Sequence, residues 1–164
     1  MFSSRLLSKT LVICLILLTS SCGWQLRGYH TGTLNISDLS LNTDKINHPQ
    51  FSKVFKDTLA SEYKIQISAQ ASVKTRIDRL SETKRVSSKD RAGDASEYEH
   101  TITLTITTEL EQDSMTQSFI SVQRQSYDQD NLLSSDMQER SAKRQAYQEL
   151  TRQYASYLSK QLSK

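Results

Sequence analysis

Between Tyr98 and Leu110 the sequence alternates without a break. Tyr98, His100, Ile102, Leu104, Ile106, Thr108 and Leu110 fall on one parity, and Thr101, Thr103, Thr105, Thr107 and Glu109 on the other. Side chains of a strand point to opposite faces at each step, so this run is a β-strand with one apolar face and one face of hydroxyls. A helix would scatter the same residues around its whole circumference. The β-branched isoleucines and threonines favour the extended state as well. Such a strand suits a sheet covered by helices on one side only.

The other elements follow from the same two periodicities. Leu34 and Ile36, then Leu39 and Leu41 with a change of phase at Asp38, predict a first strand with a bulge. Asn47-His48-Pro49 predicts a cap followed by a proline at the first helical position, and Phe51, Val54, Phe55, Thr58 and Leu59 continue at helical spacing over 49–62. Tyr63, Ile65 and Ile67 predict a short strand, and Val73, Thr75 and Ile77 another that runs toward Val86. The segment 84–96, polar and containing Gly93, predicts an exposed hairpin loop before the Tyr98 strand. A further strand over 115–127 follows the turn at Gln112-Asp113-Ser114. Ser135-Asp136-Met137-Gln138 has the form of a capping box. From there to Leu162 there is no glycine or proline, and Tyr147, Leu150, Tyr154, Tyr157, Leu158 and Leu162 keep one face of a long last helix. The expected fold is α+β: a two-layer domain with two helices packed on one face of a mixed four- to five-stranded sheet, its first unit a right-handed crossover. A chain of 164 residues leaves room for one such domain, over 34–164.

The first residues read differently. Arg5 and Lys9 precede an apolar run from Leu11 to Leu18, which stops at Thr19-Ser20-Ser21-Cys22. That is the plan of a secretory signal over 1–21, and the run falls short of the ~20 apolar residues of a spanning helix. Hydrophobic residues make up 36% of the chain and its mean hydropathy is −0.57, which excludes a polytopic membrane protein. The formal charge of +3 drops to +1 once the signal is removed, because Arg5 and Lys9 leave 19 bases against 18 acids. A basic excess that belongs to the signal gives no reason to expect nucleic acid as a partner. Gly23, Gly28 and Gly32 lie in a stretch poor in apolar residues, so 22–33 reads as a tether.

Motifs for catalysis and metal binding are missing. His30, His48 and His100 have no second ligand at metal-binding spacing, and no nucleophile elbow, phosphate-cradling glycine loop or dinucleotide fingerprint occurs. The sequence therefore predicts no enzyme, no cofactor and no metal. His100, on a strand, reads as a satisfied sheet histidine. Lys84, Arg85, Lys89 and Arg91 gather in the predicted loop against Glu82, Asp90 and Asp94. Arginine at a hairpin tip can fork onto a phosphate or carboxylate of an anionic amphiphile, and a merely solvated loop has the same composition. The bases of the last helix alternate with Glu139 and Glu149, the pattern of an ordinary solvated face.

Thr19-Ser20-Ser21-Cys22 resembles the lipobox of bacterial lipoproteins, which implies a diacylglycerylated and acylated Cys22 as the mature N-terminus. Two or more acyl chains hold stably where one binds only marginally. Gly23 stands where an aspartate would resemble an inner-membrane retention signal, so the resemblance implies the periplasmic leaflet of the outer membrane. With Cys14 removed and Cys22 modified, no disulfide is left to the mature monomer.

Directly after the anchor, Cys22-Gly23-Trp24-Gln25-Leu26-Arg27-Gly28 resembles the start of the LPS-assembly lipoprotein LptE family. Ala95-Ser96-Glu97-Tyr98-Glu99, preceded by Arg91-Ala92-Gly93, is similar to that family's Ala-Glu-Tyr hairpin motif. Ser121-Val122-Gln123-Arg124-Gln125-Ser126-Tyr127 is similar to its arginine-aromatic strand. The resemblance implies an outer-membrane lipoprotein that plugs the β-barrel LptD, supports its assembly and binds lipopolysaccharide in transit to the outer leaflet. It places Arg91 at a basic hairpin position used for lipopolysaccharide, with Lys84, Arg85 and Lys89 nearby. Ser134-Ser135 stands where some relatives carry a lysine, so a second clamping base is not implied there. The threonine face fits a plug, since barrel lumens are polar and wet. A structural lipoprotein without a glycolipid role, or a periplasmic enzyme, would share the targeting signals.

Overall fold

The computed structural model describes residue 34 and residues 36–111, 113–128 and 131–163; the expected signal, Cys22 and the tether lie outside the described residues. The elements are β1 (Asp38–Asn42), α1 (Pro49–Tyr63), β2 (Gln66–Ile67), β3 (Lys74–Lys89), β4 (Ala95–Leu110), β5 (Asp113–Ser126) and α2 (Leu132–Leu162). They form a five-stranded sheet in the order β2-β1-β3-β4-β5. β1 runs parallel to both β2 and β3, while β3, β4 and β5 form an antiparallel meander, so the sheet is mixed.

Both helices lie against the apolar face that the alternation predicts. Leu39, Ile77, Ile102, Leu104, Ile106 and Phe119 from the sheet meet Phe51, Phe55 and Leu59 of α1 and Tyr147, Leu150, Tyr154 and Leu158 of α2 in one core. Aromatic rings join the elements: Phe51 stands edge-on to Tyr147 at 5.2 Å, helix to helix, and Phe119 to Tyr154 at 6.1 Å, sheet to helix. The Tyr154 hydroxyl, deep in this core, is satisfied, because its Oη lies 2.6 Å from Thr75 Oγ1 and 3.3 Å from Thr108 Oγ1.

Several boundaries differ from the sequence reading, the last strand beginning at Asp113, inside the expected turn, among them. The first strand begins at Asp38: the chain bends at Ser37, so Leu34 and Ile36 reach the core from the approach to the strand and no bulge is needed. The expected strand at Tyr63 shrinks to Gln66–Ile67, because Tyr63 still belongs to α1 and Lys64 ends that helix in the left-handed region at φ 61°. There the Ile65 N–H donates back to Leu59 O at 3.2 Å. The expected loop over 84–96 contracts to a turn at 90–94, since Lys84 to Lys89 and Ala95 onward pair as strands. Residues 84–89 are exposed on both faces and carry no period-two apolar signal to read. The turn is closed by Asp90, whose Oδ1 accepts from Ala92 N–H at 2.9 Å and Asp94 N–H at 3.0 Å, and by Gly93 at φ 92°. The last helix starts at Leu132, capped by Asn131, whose Oδ1 accepts from Ser134 N–H at 3.1 Å. Ser135, the expected cap, sits inside the first turn and ties the preceding loop through its hydroxyl, which donates to Asp128 O and accepts from Asp128 N–H, both at 3.1 Å.

Candidate functional site

The register of the meander decides which predicted site residues stand together. The four bases expected in one loop are dispersed over three places. Lys84 points to the helix-covered side, where Nζ pairs with Glu139 Oε2 of α2 at 2.6 Å and stacks over the Tyr98 ring at 4.3 Å. Arg85 has the opposite parity and lies on the open side. Lys89 ends β3 and Arg91 occupies the turn; both are exposed, and neither engages a carboxylate among the described residues.

Arg85 belongs to a group that the sequence reading does not assemble. β3, β4 and β5 place Arg85, Glu99 and Arg124 in register on neighbouring strands. Arg85 Nη2 meets Glu99 Oε1 at 2.6 Å and Arg124 Nε meets Oε2 at 3.1 Å, so one carboxylate is shared by two guanidiniums. The Glu99 side chain is only 5% exposed, covered by two arginines that are themselves mostly exposed. Arg124 first, then Arg85, holds its carboxyl below the usual carboxylate range in spite of desolvation. The signal was present: Glu99 continues the parity of the threonine ladder, but the pairing partners become visible only with the register.

Below this triad the open face carries Thr101, Thr103, Thr105 and Thr107. Thr105 Oγ1 lies 2.9 Å from Ser118 Oγ and Thr107 Oγ1 2.8 Å from Thr116 Oγ1, which makes a cross-strand ladder of hydroxyls. Thr107 also donates to Asp78, which sits at the irregularity between Ile77 and Arg79. That hydrogen bond, joined by Arg76 and Lys45, lowers the Asp78 carboxyl from 3.8 to about 2 against the effect of burial. Ile120 and Val122 of β5 flank the ladder at 56% and 50% exposure. No described helix covers this face.

On the covered side, beyond the aromatic core, Glu82, Lys84, His100, Ile102, Glu139 and Lys143 line a cavity of about 160 Å³. His100 is 3% exposed and its Nε2 has no hydrogen-bond partner, so the expectation of a satisfied sheet histidine fails. Desolvation lowers its proton affinity below the ordinary histidine range. Among the described residues no group of His, Cys, Asp and Glu side chains is arranged to hold a metal ion, and no helix is long and apolar enough to cross a membrane.

No protein-family model matches the sequence, and no curated protein matches it significantly. Solved structures do share the fold. The minor lipoprotein from Acinetobacter baumannii superposes with a TM-score of 0.58 at 16% identity, over 76% of this chain and 92% of its own. The uncharacterized lipoprotein B from Nitrosomonas europaea gives 0.57 at 16% identity, over 84% and 93%. The rare lipoprotein B from Shewanella oneidensis gives 0.54 at 16% identity, over 77% and 93%. The architecture of this domain is thus one that proteins described as bacterial lipoproteins adopt.

Proposed function

We propose that this chain is a lipoprotein anchored through Cys22 to the periplasmic leaflet of the outer membrane, where it plugs the β-barrel LptD and takes part in lipopolysaccharide transport. The observation that carries this reading is the open sheet face, on a fold shared with three solved lipoproteins. One broad face of hydroxyls flanked by exposed Ile120 and Val122 matches a polar, wet lumen. The hairpin is long enough to run through such a lumen and beyond it. β3 has 16 residues, which at ~3.3 Å per residue span about 50 Å, twice the ~25 Å apolar band of an outer-membrane barrel. β1, through which the chain enters the sheet, pairs with the first residues of β3, at the end opposite the 90–94 turn.

Lipopolysaccharide is the ligand proposed for the turn. Arg91 and Lys89 are free to meet lipid A phosphates, while Lys84 and Arg85 contribute to the field from within their ion pairs. No chemical step is assigned to the chain; its role is to fill, to support assembly and to bind. Affinity purification of the full chain in mild detergent tests the reading. A co-purifying barrel protein together with lipopolysaccharide is the expected result. Purification without a barrel overturns it in favour of a structural lipoprotein, and a barrel without glycolipid retains the plug while removing the ligand.

A further inference from the structure

The first half of α2 is closed onto the sheet by a ring of paired charges, and His100 lies beneath that ring. From β3 come Glu82 and Lys84; from α2 come Glu139, Lys143 and Tyr147. Lys84 Nζ meets Glu139 at 2.6 Å, Lys143 Nζ meets Glu82 and Glu139 at 3.3 Å each, and the Tyr147 hydroxyl donates to Glu82. From β5, the residue in register with His100 is the uncharged Gln123. The ring is neutral as it stands, two acids against two bases, and both carboxylates are already engaged. A proton on the buried His100 would therefore add a fifth charge beside the ring, with no unpaired carboxylate among the described residues lining the cavity to receive it.

The two halves of α2 are held very differently. Tyr147, Leu150, Tyr154, Ala155 and Leu158 sink the second half into the core, whereas the first half buries only Ser135, Ala142 and Ala146. A segment with few buried apolar contacts opens at lower free energy than the rest of its domain.

We propose that His100 is a pH-sensitive latch: while it is neutral the ring of ion pairs holds the first half of α2 on β3 and β4, and its protonation releases that half while the second stays docked. Burial disfavours the imidazolium in the closed form, whereas an opened histidine takes its proton near the ordinary value of about 6.5. The closed form is thus fully favoured above that pH and loses ground as pH falls below it. Glu139, held below the usual carboxylate range by its hydrogen bond from Lys84, stays charged through the same interval.

Hydrogen exchange on the full chain in detergent, at about pH 7.5 and about pH 5.5 and corrected for intrinsic rates, tests the latch. Amides of 133–146 should exchange at least about fivefold faster at the lower pH, with 150–160 unchanged. His100→Phe, of similar size and unable to titrate, should abolish the response. His100→Gln should do the same and carries the test if the phenylalanine variant fails to fold. Three results overturn the proposal: no acceleration in the wild type, the same acceleration in the variants, or acceleration spread equally over α1 and both halves of α2.

Discussion

The two ends of the β3–β4 ladder are made of the same backbone pairing and held by different chemistry. At the inner end, Ile77, Leu104 and Ile106 lie under both helices, with Phe55, Leu59, Tyr154 and Leu158 packed on them. At the outer end the helix meets the ladder through Lys84, Glu82, Glu139 and Lys143, while on the open side Arg85 and Arg124 pair with Glu99 across the strands. Burial of apolar area stabilises the inner end with little dependence on conditions. Partly exposed ion pairs add little each and respond to pH and salt. Stability and responsiveness are therefore segregated along one hairpin, and substitutions should lose their effect on folding as they move outward.

The largest effect belongs to the inner end. Leu104→Ala or Ile106→Ala should cost ~2–5 kcal/mol, since both side chains are fully buried and the cavity left behind cannot collapse against a rigid sheet. Thermal melts of the full chain in detergent read this directly; an unchanged melting temperature for both would place the strand out of phase with the core. Tyr154→Phe probes one atom of the same core. It strands the Thr75 and Thr108 hydroxyls and should cost ~1–3 kcal/mol, with a melting temperature between the alanine variants and the wild type.

On the open side of the inner end, next to Ile77, the Asp78 site should show itself through acid. Its carboxyl is lowered from 3.8 to about 2, so its contribution is complete above 3.8 and is lost as pH falls through that interval. Asp78→Asn should flatten the acid limb of the stability profile between those two values. An acid limb unchanged by the substitution would assign it to other carboxylates.

The inner end was legible because burial on one face writes itself into sequence as period two in β4 and as helical spacing in α1 and α2. The two-layer α+β arrangement followed from those stripes. The outer end was not legible, for a matching reason. Lys84 to Lys89 are exposed on both faces, so strand and loop have the same composition there, and only the pairing register shows that Arg85 and Arg124 share Glu99. Asn131 caps α2 with Ser134, not a glutamate or glutamine, three residues on, so no box pattern marks it, whereas Ser135, which does begin such a pattern, is recruited to hold the Asp128 loop. That the buried His100 Nε2 lacks a hydrogen-bond partner leaves no local trace in sequence, because its surroundings are set by β3 and α2, distant along the chain.

The smallest effect on folding and the sharpest on function is expected at the turn. Arg91 makes no contact that the fold requires, since the turn is closed by the Asp90 carboxylate and by Gly93, so Arg91→Asp should leave the melting temperature nearly unchanged. A guanidinium presents paired donors to a phosphate, and reversing its charge replaces an attraction with a repulsion at the point of contact. Binding of purified lipopolysaccharide to the full chain in detergent should therefore weaken, and more so at low salt, where the neighbouring bases act at longer range. Lys160→Asp in the last turn of α2, at the far end of the helix, changes the net charge by the same amount and should leave binding intact. Equal losses from the two substitutions would make the turn an ordinary solvated charge cluster. A loss confined to Arg91 would complete the gradient along the hairpin, with folding held at one end and the ligand met at the other.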